Sequence, residues 1–238
     1  MSIPEHAIWH DVECSAYEAD LPLWRELARD AHGAILDVGA GTGRVALRLA
    51  YAGHDVTALD VDPELLAVLE ARAREAGLNV ATIAADAADF TLPEPVSLVA
   101  VPMQTIQLLP ERDGFFASAR RALKPGGRVA LAIATDLEPY EGGPPLPPPD
   151  LGSSEGWTYI SQPVAIRIEG ERVRIERIRQ RVGPNGERIT TDDVITLAVV
   201  TPGGLAEEAA AHDLEAEELR HIPETPEHTA AQVVIFRG

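Results

Sequence analysis

The chain has 238 residues, 45% of them hydrophobic, and a formal charge of −18 from 38 acidic and 20 basic side chains. That length holds one large α/β domain with an elaboration and is too short for two independent enzymes. The acidic balance argues against broad binding to nucleic-acid phosphates or anionic lipid, which both need concentrated positive charge.

The opening stretch MSIPEHAIWHDVE has neither a basic start nor an apolar run, and no later segment is apolar for long enough to cross a bilayer, so a cytoplasmic protein is expected. Cys14 is the only cysteine, which excludes an intramolecular disulfide and a cysteine-based zinc cluster, and no metal site is expected. Over residues 15–30, Tyr17, Leu21, Leu23, Trp24 and Leu27 recur at mostly helical spacing, interrupted at Pro22 and ending before Gly33. A strand is predicted at 34–38, a helix at 44–52 and a strand at 55–60. The helix at 63–76 is opened by Asp62 as cap, with Pro63 at its first position. Strands at 80–84 and 96–101, a helix at 112–123 and a strand at 128–134 complete an alternation whose short joints demand a parallel sheet.

After Thr135 the texture changes. Residues 136–156 carry six prolines and four glycines, a composition that reads as loop. Three segments rich in β-branched residues follow, at 157–169, 172–182 and 188–200, separated by Gly170 and by the run from Gly183 to Gly186; they read as antiparallel strands in two hairpins. A helix at 204–211 and strands at 217–221 and 232–237 end the chain.

The most informative run is ILDVGAGTGRVALRLA, from Ile35 to Ala50, followed by VTALDVD with Asp60 and Asp62. It reads as strand, glycine turn, helix and a second strand closed by a carboxylate, the arrangement that holds an adenosyl cofactor at a sheet edge. Gly39, Gly41 and Gly43 give G-x-G-x-G, with Arg44 where a dinucleotide fingerprint wants glycine or alanine, which weakens a nicotinamide reading. Ionised Asp60 is acceptor-only and can take hydrogen bonds from both ribose hydroxyls.

These residues, with Asp86 in AADAADF and ALKPGGRVALAIA at 122–134, resemble the class I S-adenosylmethionine-dependent methyltransferases. The likeness runs in order from about Tyr17 to Ala134, and is greatest to bacterial small-molecule enzymes that begin with a tyrosine-bearing helix and insert antiparallel strands late. It implies a seven-stranded Rossmann-like sheet with helices on both faces and an inserted antiparallel β-cap. The division it suggests is a cofactor core with an N-terminal helical lid at 1–135, a loop at 136–156, the inserted strands at 157–200, and a completing helix and strands at 201–238. By the same resemblance S-adenosylmethionine is the cofactor and S-adenosylhomocysteine its product. Asp37, Gly39, Ala40, Gly41, Thr42 and Gly43 would lie at the methionine part, Asp60 with Val61 at the ribose, and Asp86 with Ala87 at the adenine. Pro102 and Met103 follow the fourth strand and face the methyl, and Tyr17 closes over the methionine end.

Methyl transfer from a sulfonium is an in-line displacement, in which alignment alone supplies ~7–11 kcal/mol of the barrier. A base is optional for an amine and required for a hydroxyl. His10, Glu13, His221 and His228 are the candidates. Related enzymes often carry a histidine in the turn after the fourth strand; here stand Gln104, Thr105 and Gln107, which leans away from a histidine-assisted hydroxyl acceptor. Gln104 and Gln107 could orient a substrate, or serve as a cap and an exposed helix face. Trp9, Trp157 and Tyr159 could line an acceptor pocket or pack the inserted strands. Arg167, Arg172, Arg174, Arg177, Arg179, Arg181 and Arg188 gather in the insert. Alternate arginines are expected on one face, with Val173 and Ile175 on the other, forming a salt-bridged surface, an anion-binding wall that includes Arg177, or a homodimer contact. The function expected is methyl transfer to a small N- or O-nucleophile without nucleic-acid or membrane partners. A catalytically silent cofactor sensor, an RNA methyltransferase and a nicotinamide-dependent oxidoreductase are the alternatives.

Overall fold

The computed structural model describes residues 3–143, 146–225 and 228–238. Two helices come first, α1 (Glu5–Cys14) and α2 (Leu21–Ala31). The alternating part follows as β1 (Ile35–Val38), α3 (Ala46–Tyr51), β2 (Val56–Asp60), α4 (Pro63–Glu75), β3 (Val80–Ala84), β4 (Val96–Val101), α5 (Thr105–Leu108), α6 (Asp113–Ala122) and β5 (Leu123–Ile133). Then come β6 (Tyr140–Glu141), β7 (Asp150–Ser154), β8 (Trp157–Glu169), β9 (Arg172–Val182) and β10 (Arg188–Ala198). The chain closes with α7 (Pro202–Ala210), β11 (Glu215–Ala216), β12 (Arg220–Ile222) and β13 (Ala231–Arg237).

The main sheet runs β11-β13-β5-β4-β1-β2-β3, with β12 also on β13. β1 to β5 pair in parallel and β13 joins β5 antiparallel. The order reverses between β1 and β4, so the carboxyl end of β1 opens at the switch point where such sheets bind ligands. Successive strand residues alternate between two cores, as a period of two requires. Ile35, Ala58, Leu98, Ala100, Ala130 and Ala132 face α2, α3 and α4 through Trp24, Leu49 and Leu69. Leu36, Leu59, Val99, Val101 and Leu131 face α6 and α7 through Phe115, Phe116 and Leu205.

A second sheet, β10-β9-β8-β6 with β7 also on β8, is wholly antiparallel. Two short strands thus stand within 136–156, where composition alone reads as loop. β7 can form there because its residues from Asp150 to Ser154 follow the last proline of the run and pair with β8. The penultimate strand of the main sheet is also broken, into β11 and β12, both docked on β13.

The helical spacing read over 15–30 begins late. α2 starts at Leu21, so Pro22 falls in the first turn, where its missing N–H costs nothing. α1 lies where no element is read, because it buries only Ala7, Trp9 and Val12 among polar neighbours. The arginine pattern of β9 also differs from expectation. The register with β10 is unbroken from Arg172 to Val182, so Arg177, Arg179 and Arg181 share a face with Val173 and Ile175, and Arg172 and Arg174 take the opposite one.

Candidate active site

β1 delivers its chain into the loop from Gly39 to Gly43 at the switch point. The amides of Gly39 and Ala40 donate to the Leu59 carbonyl at 2.8 and 3.0 Å, tying the loop to the end of β2. Gly39 and Gly41 have φ of 69° and 54°, a conformation that side chains resist. A Cβ at Gly41 would collide with the His10 ring, and one at Gly39 with the Thr105 side chain. Asp60 ends β2; its Oδ2 accepts from the Gly41 amide at 2.8 Å and its Oδ1 from the Asp62 amide at 2.9 Å. Each oxygen retains a lone pair for a ligand. Val61 is 72% exposed beside it, free to lie along a bound molecule. Asp86 is exposed beyond β3, its Oδ1 taken by the Ala88 amide at 2.8 Å, with Ala87 buried next to it.

Arg44 has a role that glycine could not fill. Its guanidinium grips Asp20 with two bonds of 2.6 and 2.7 Å and donates to the Tyr17 carbonyl at 2.7 Å. It also lies 5.3 Å from the centre of the Tyr17 ring. Asp20 is fully buried and accepts from Trp24 Nε1 at 2.8 Å. The segment bearing Tyr17 is thereby clamped to the glycine loop. Asp37 is 1% exposed, and neither of its oxygens finds a hydrogen-bond partner of good geometry among the described residues. Burial pushes its carboxyl up to about 7, against the pull of the Arg44 charge and the Ala46 amide. A buried carboxylate left in this state on a ligand-binding loop is the kind of group a bound ammonium would satisfy.

α1 crosses this loop like a strap. Asp11 binds Arg72 of α4 and accepts from Thr42 Oγ1 at 2.6 Å. His10 Nδ1 stands 3.3 Å from the same hydroxyl. Burial pulls the His10 imidazole below its ordinary value, and Asp11, Asp60 and Glu13 only partly restore it, so the ring is neutral at neutral pH. His6 reaches Asp62 at 3.1 Å.

The other side of α1 meets the inserted sheet, and several expected site residues are engaged there. Glu13 accepts from Arg179 at 2.7 and 2.8 Å and from Ser161 at 2.8 Å. Burial raises its carboxyl, but Arg179, Arg177 and Ser161 more than offset this and hold it below the usual range. Glu13 is therefore a fixed anion and not a base poised near neutrality. Trp9 packs edge-on against Tyr159 at 5.0 Å under Arg179, and Arg181 covers Trp157. These aromatics fasten α1 to the insert; Trp9 and Tyr159 are both 5% exposed and line no open pocket. Arg177 faces Glu13 and Asp193 at 3.7 and 3.9 Å, so its charge is already met.

At the exit of β4, Pro102 is buried and Met103 has φ of 54°, a strained turn that brings Gln104 and Thr105 up to the loop. Gln107, expected at a substrate or on an exposed helix face, is instead buried and fully hydrogen-bonded to the main chain. It is 2% exposed, donates to the carbonyls of Ala134 and Ala198 at 3.2 and 3.1 Å, and accepts from the Ala134 amide at 2.8 Å, lacing β5 to β10. His221 is exposed on β12, paired with Gln232 of β13. His228 packs edge-on against Tyr17, with ring centres 4.8 Å apart.

Known proteins resemble this chain. Residues 35–127 match a family profile described as a methyltransferase domain. A ubiquinone biosynthesis O-methyltransferase of Xanthomonas euvesicatoria pv. vesicatoria is 31% identical over 99 residues, 41% of each chain. The ubiquinone/menaquinone biosynthesis C-methyltransferase UbiE of Nitrobacter hamburgensis is 28% identical over 180 residues, 69% of this chain and 68% of that one. The match to the O-methyltransferase thus spans about two fifths of that relative's length. Among solved structures, CalS10, an amino pentose methyltransferase from Micromonospora echinaspora with S-adenosylmethionine bound, superposes with a TM-score of 0.75 at 19% identity, covering 100% of this chain and 98% of its own.

Residues 35–127 thus match a methyltransferase domain, and the chain has the fold of solved S-adenosylmethionine-dependent methyltransferases. A second similar structure, the sugar N-methyltransferase KedS8 from Streptoalloteichus sp ATCC 53650, has a TM-score of 0.74 at 17% identity, covering 100% of this chain and 94% of its own. The main sheet matches the Rossmann-like core of those structures, and the antiparallel sheet is a separate, later part of the chain. Among the described residues no helix is long and apolar enough to cross a membrane.

Proposed function

We propose that this methyltransferase moves a methyl group from S-adenosylmethionine to a nitrogen or oxygen of a small molecule. The observation that carries the reading is Asp60, hydrogen-bonded across the glycine loop with lone pairs to spare, at the switch point of the sheet. Two further features fit the cofactor. The loop leaves no room for side chains at Gly39 and Gly41, and Asp37 offers a buried carboxyl with no well-formed hydrogen bond among the described residues. When bound, S-adenosylmethionine supplies a methyl on a sulfonium, open to displacement from the side opposite the sulfur.

The chain's own residues bind and orient. Asp60 with Val61 receives the ribose, Asp86 with Ala87 the adenine edge, and Asp37 with Gly39, Ala40, Gly41, Thr42 and Gly43 the methionine part. Tyr17, clamped by Arg44, closes that end, while Pro102 and Met103 flank the methyl. The strap formed by α1 keeps water from the reacting atoms, which favours a reaction driven by alignment. His10 is neutral and lies against the glycine loop, and so is the base candidate we keep. The net charge of −18 supports a small-molecule acceptor over RNA. We place the cofactor core at 1–135 and 201–238 and the substrate cap at 157–200. The open edge of β10 is the surface we assign to pairing with a second copy.

The test is transfer of labelled methyl from S-adenosylmethionine into pooled amines and alcohols, with amino sugars included because CalS10 and KedS8 are described as acting on sugars. A methylated product is expected. Tight binding of the cofactor without product in any pool would favour the sensor reading. Greater thermal stabilisation by a nicotinamide dinucleotide than by S-adenosylmethionine would favour the oxidoreductase.

A further inference from the structure

Thr42 and His10 meet where α1 crosses the glycine loop, and their protons have only one consistent arrangement. Thr42 is 1% exposed, so its hydroxyl is satisfied from within the protein. Asp11 Oδ1 lies 2.6 Å from that hydroxyl and His10 Nδ1 lies 3.3 Å from it. Arg72 donates to both Asp11 oxygens, from Nη1 at 3.0 Å and from Nη2, and Nη1 also reaches the Thr42 carbonyl at 3.3 Å. Burial raises the Asp11 carboxyl, but Arg72 and Thr42 more than offset this and keep it ionised. An ionised carboxylate only accepts, and a hydroxyl has one hydrogen. Thr42 therefore gives its hydrogen to Asp11 and keeps only lone pairs for His10, so the bond between them needs a proton on Nδ1.

In a neutral imidazole the bond made by one nitrogen decides the state of the other. With Nδ1 protonated, Nε2 carries a bare lone pair. It makes no hydrogen bond among the described residues. It also stands against the loop, since a Cβ built on Gly41 would lie 2.3 Å from it. The Gly41 amide is in turn bonded to Asp60 at 2.8 Å, so this nitrogen opens onto the same stretch of loop that Asp60 secures.

We propose that Thr42 is a positioning residue, which with Asp11 and Arg72 holds His10 as the Nδ1–H tautomer and leaves Nε2 as a proton acceptor over the glycine loop. This deepens the methyltransferase reading and rests on it for the source of the proton. As the methyl joins the nucleophile of the small molecule, the nucleophile's proton passes to Nε2, and the imidazolium later releases it to water. The opposite tautomer would turn an N–H toward the loop, with no lone pair there to receive a proton.

The experiment reads the ring nitrogens of His10 by nitrogen NMR of full-length protein isotope-labelled in its histidine rings, near neutral pH. Spectra are taken free and with saturating S-adenosylhomocysteine, and His10→Gln identifies the His10 signals. In the free wild type the Nδ1–H form should be in about tenfold excess. Thr42→Val keeps a similar shape without the hydroxyl and should bring the two tautomers within about threefold of each other or invert them, while Thr42→Ser should restore the wild-type pattern. Nε2 should stay unprotonated when S-adenosylhomocysteine is bound. A predominant Nε2–H form in the wild type, an Nδ1–H excess that Thr42→Val leaves intact, or protonation of Nε2 in the complex overturns the proposal. Should Thr42→Val fail to fold, Asp11→Ala takes its place: it frees the Thr42 hydrogen for Nδ1, so the Nε2–H form should come to predominate, and an unchanged ratio overturns the proposal equally. Failure of S-adenosylhomocysteine to bind at all is a separate result that overturns the methyltransferase reading, while the tautomer ratio of the free protein still decides the role of Thr42.

Discussion

Replacing Arg44 by methionine removes the cation that joins the glycine loop to the Tyr17 segment. Arg44 and Asp20 meet at 2.6 and 2.7 Å with side chains 8% and 0% exposed. Opposite charges ~4 Å apart at an effective dielectric constant of ~20 interact by about 4 kcal/mol. Breaking a buried pair by deleting one partner costs about 3–5 kcal/mol, much of it from the charge left behind. Arg44→Met should therefore lower the unfolding free energy by about 3–4 kcal/mol, and Asp20→Asn by a similar amount. In the double variant neither member of the pair is left charged without the other, and the asparagine oxygen can still accept from Trp24 Nε1. Its cost should not exceed that of either single change, a coupling of about 3 kcal/mol in a double-mutant cycle. Urea unfolding followed by circular dichroism measures all four corners. Single costs below about 1 kcal/mol, or costs that simply add, would refute the reasoning.

The attachment of α1 should depend on pH. The folded-state carboxyl of Glu13 lies below its ordinary value, so its contribution is present at neutral pH and is lost as pH falls through ~4.3 and below. Limited proteolysis within residues 5–14 should accelerate over that range, and Glu13→Gln should show the faster cleavage already at pH 7; equal rates would remove Glu13 as the fastening. Gln107→Leu strands the Ala134 amide and the Ala134 and Ala198 carbonyls. It should destabilise by about 1–3 kcal/mol while leaving S-adenosylhomocysteine affinity intact. An altered acceptor preference at full stability would return Gln107 to the substrate site.

The cofactor loop is legible in sequence because its signals are local. Ile35 to Asp60 holds a strand, a turn that needs positive φ, a helix and a carboxylate within one βαβ unit. What sequence reading misses is settled by contacts across long separations. Arg44 reads as an absent glycine until Asp20 and Tyr17 lie beside it, 24 and 27 residues earlier. Glu13 reads as a candidate base until Arg179 arrives from 166 residues away. Gln107 looks like a helix-surface amide, and only the meeting of β5 with β10 turns it into a lace between them. The face reversal along β9 was available from parity alone, since 173, 175, 177, 179 and 181 are all odd. α1 had little to announce it, with three buried residues and its ion pairs contributed by β9 and α4.

The central claim is that Asp60 and the glycine loop hold the methyl donor. Calorimetric titration with S-adenosylhomocysteine of wild type and Asp60→Asn tests it most directly. Asparagine retains one oxygen for the Gly41 or Asp62 amide, so the loop should survive and the melting temperature of the free protein should change little. Binding should weaken by at least about tenfold, as expected when a charged acceptor is removed from a ribose hydroxyl. No binding by the wild type, or equal affinity in the variant, would contradict the account.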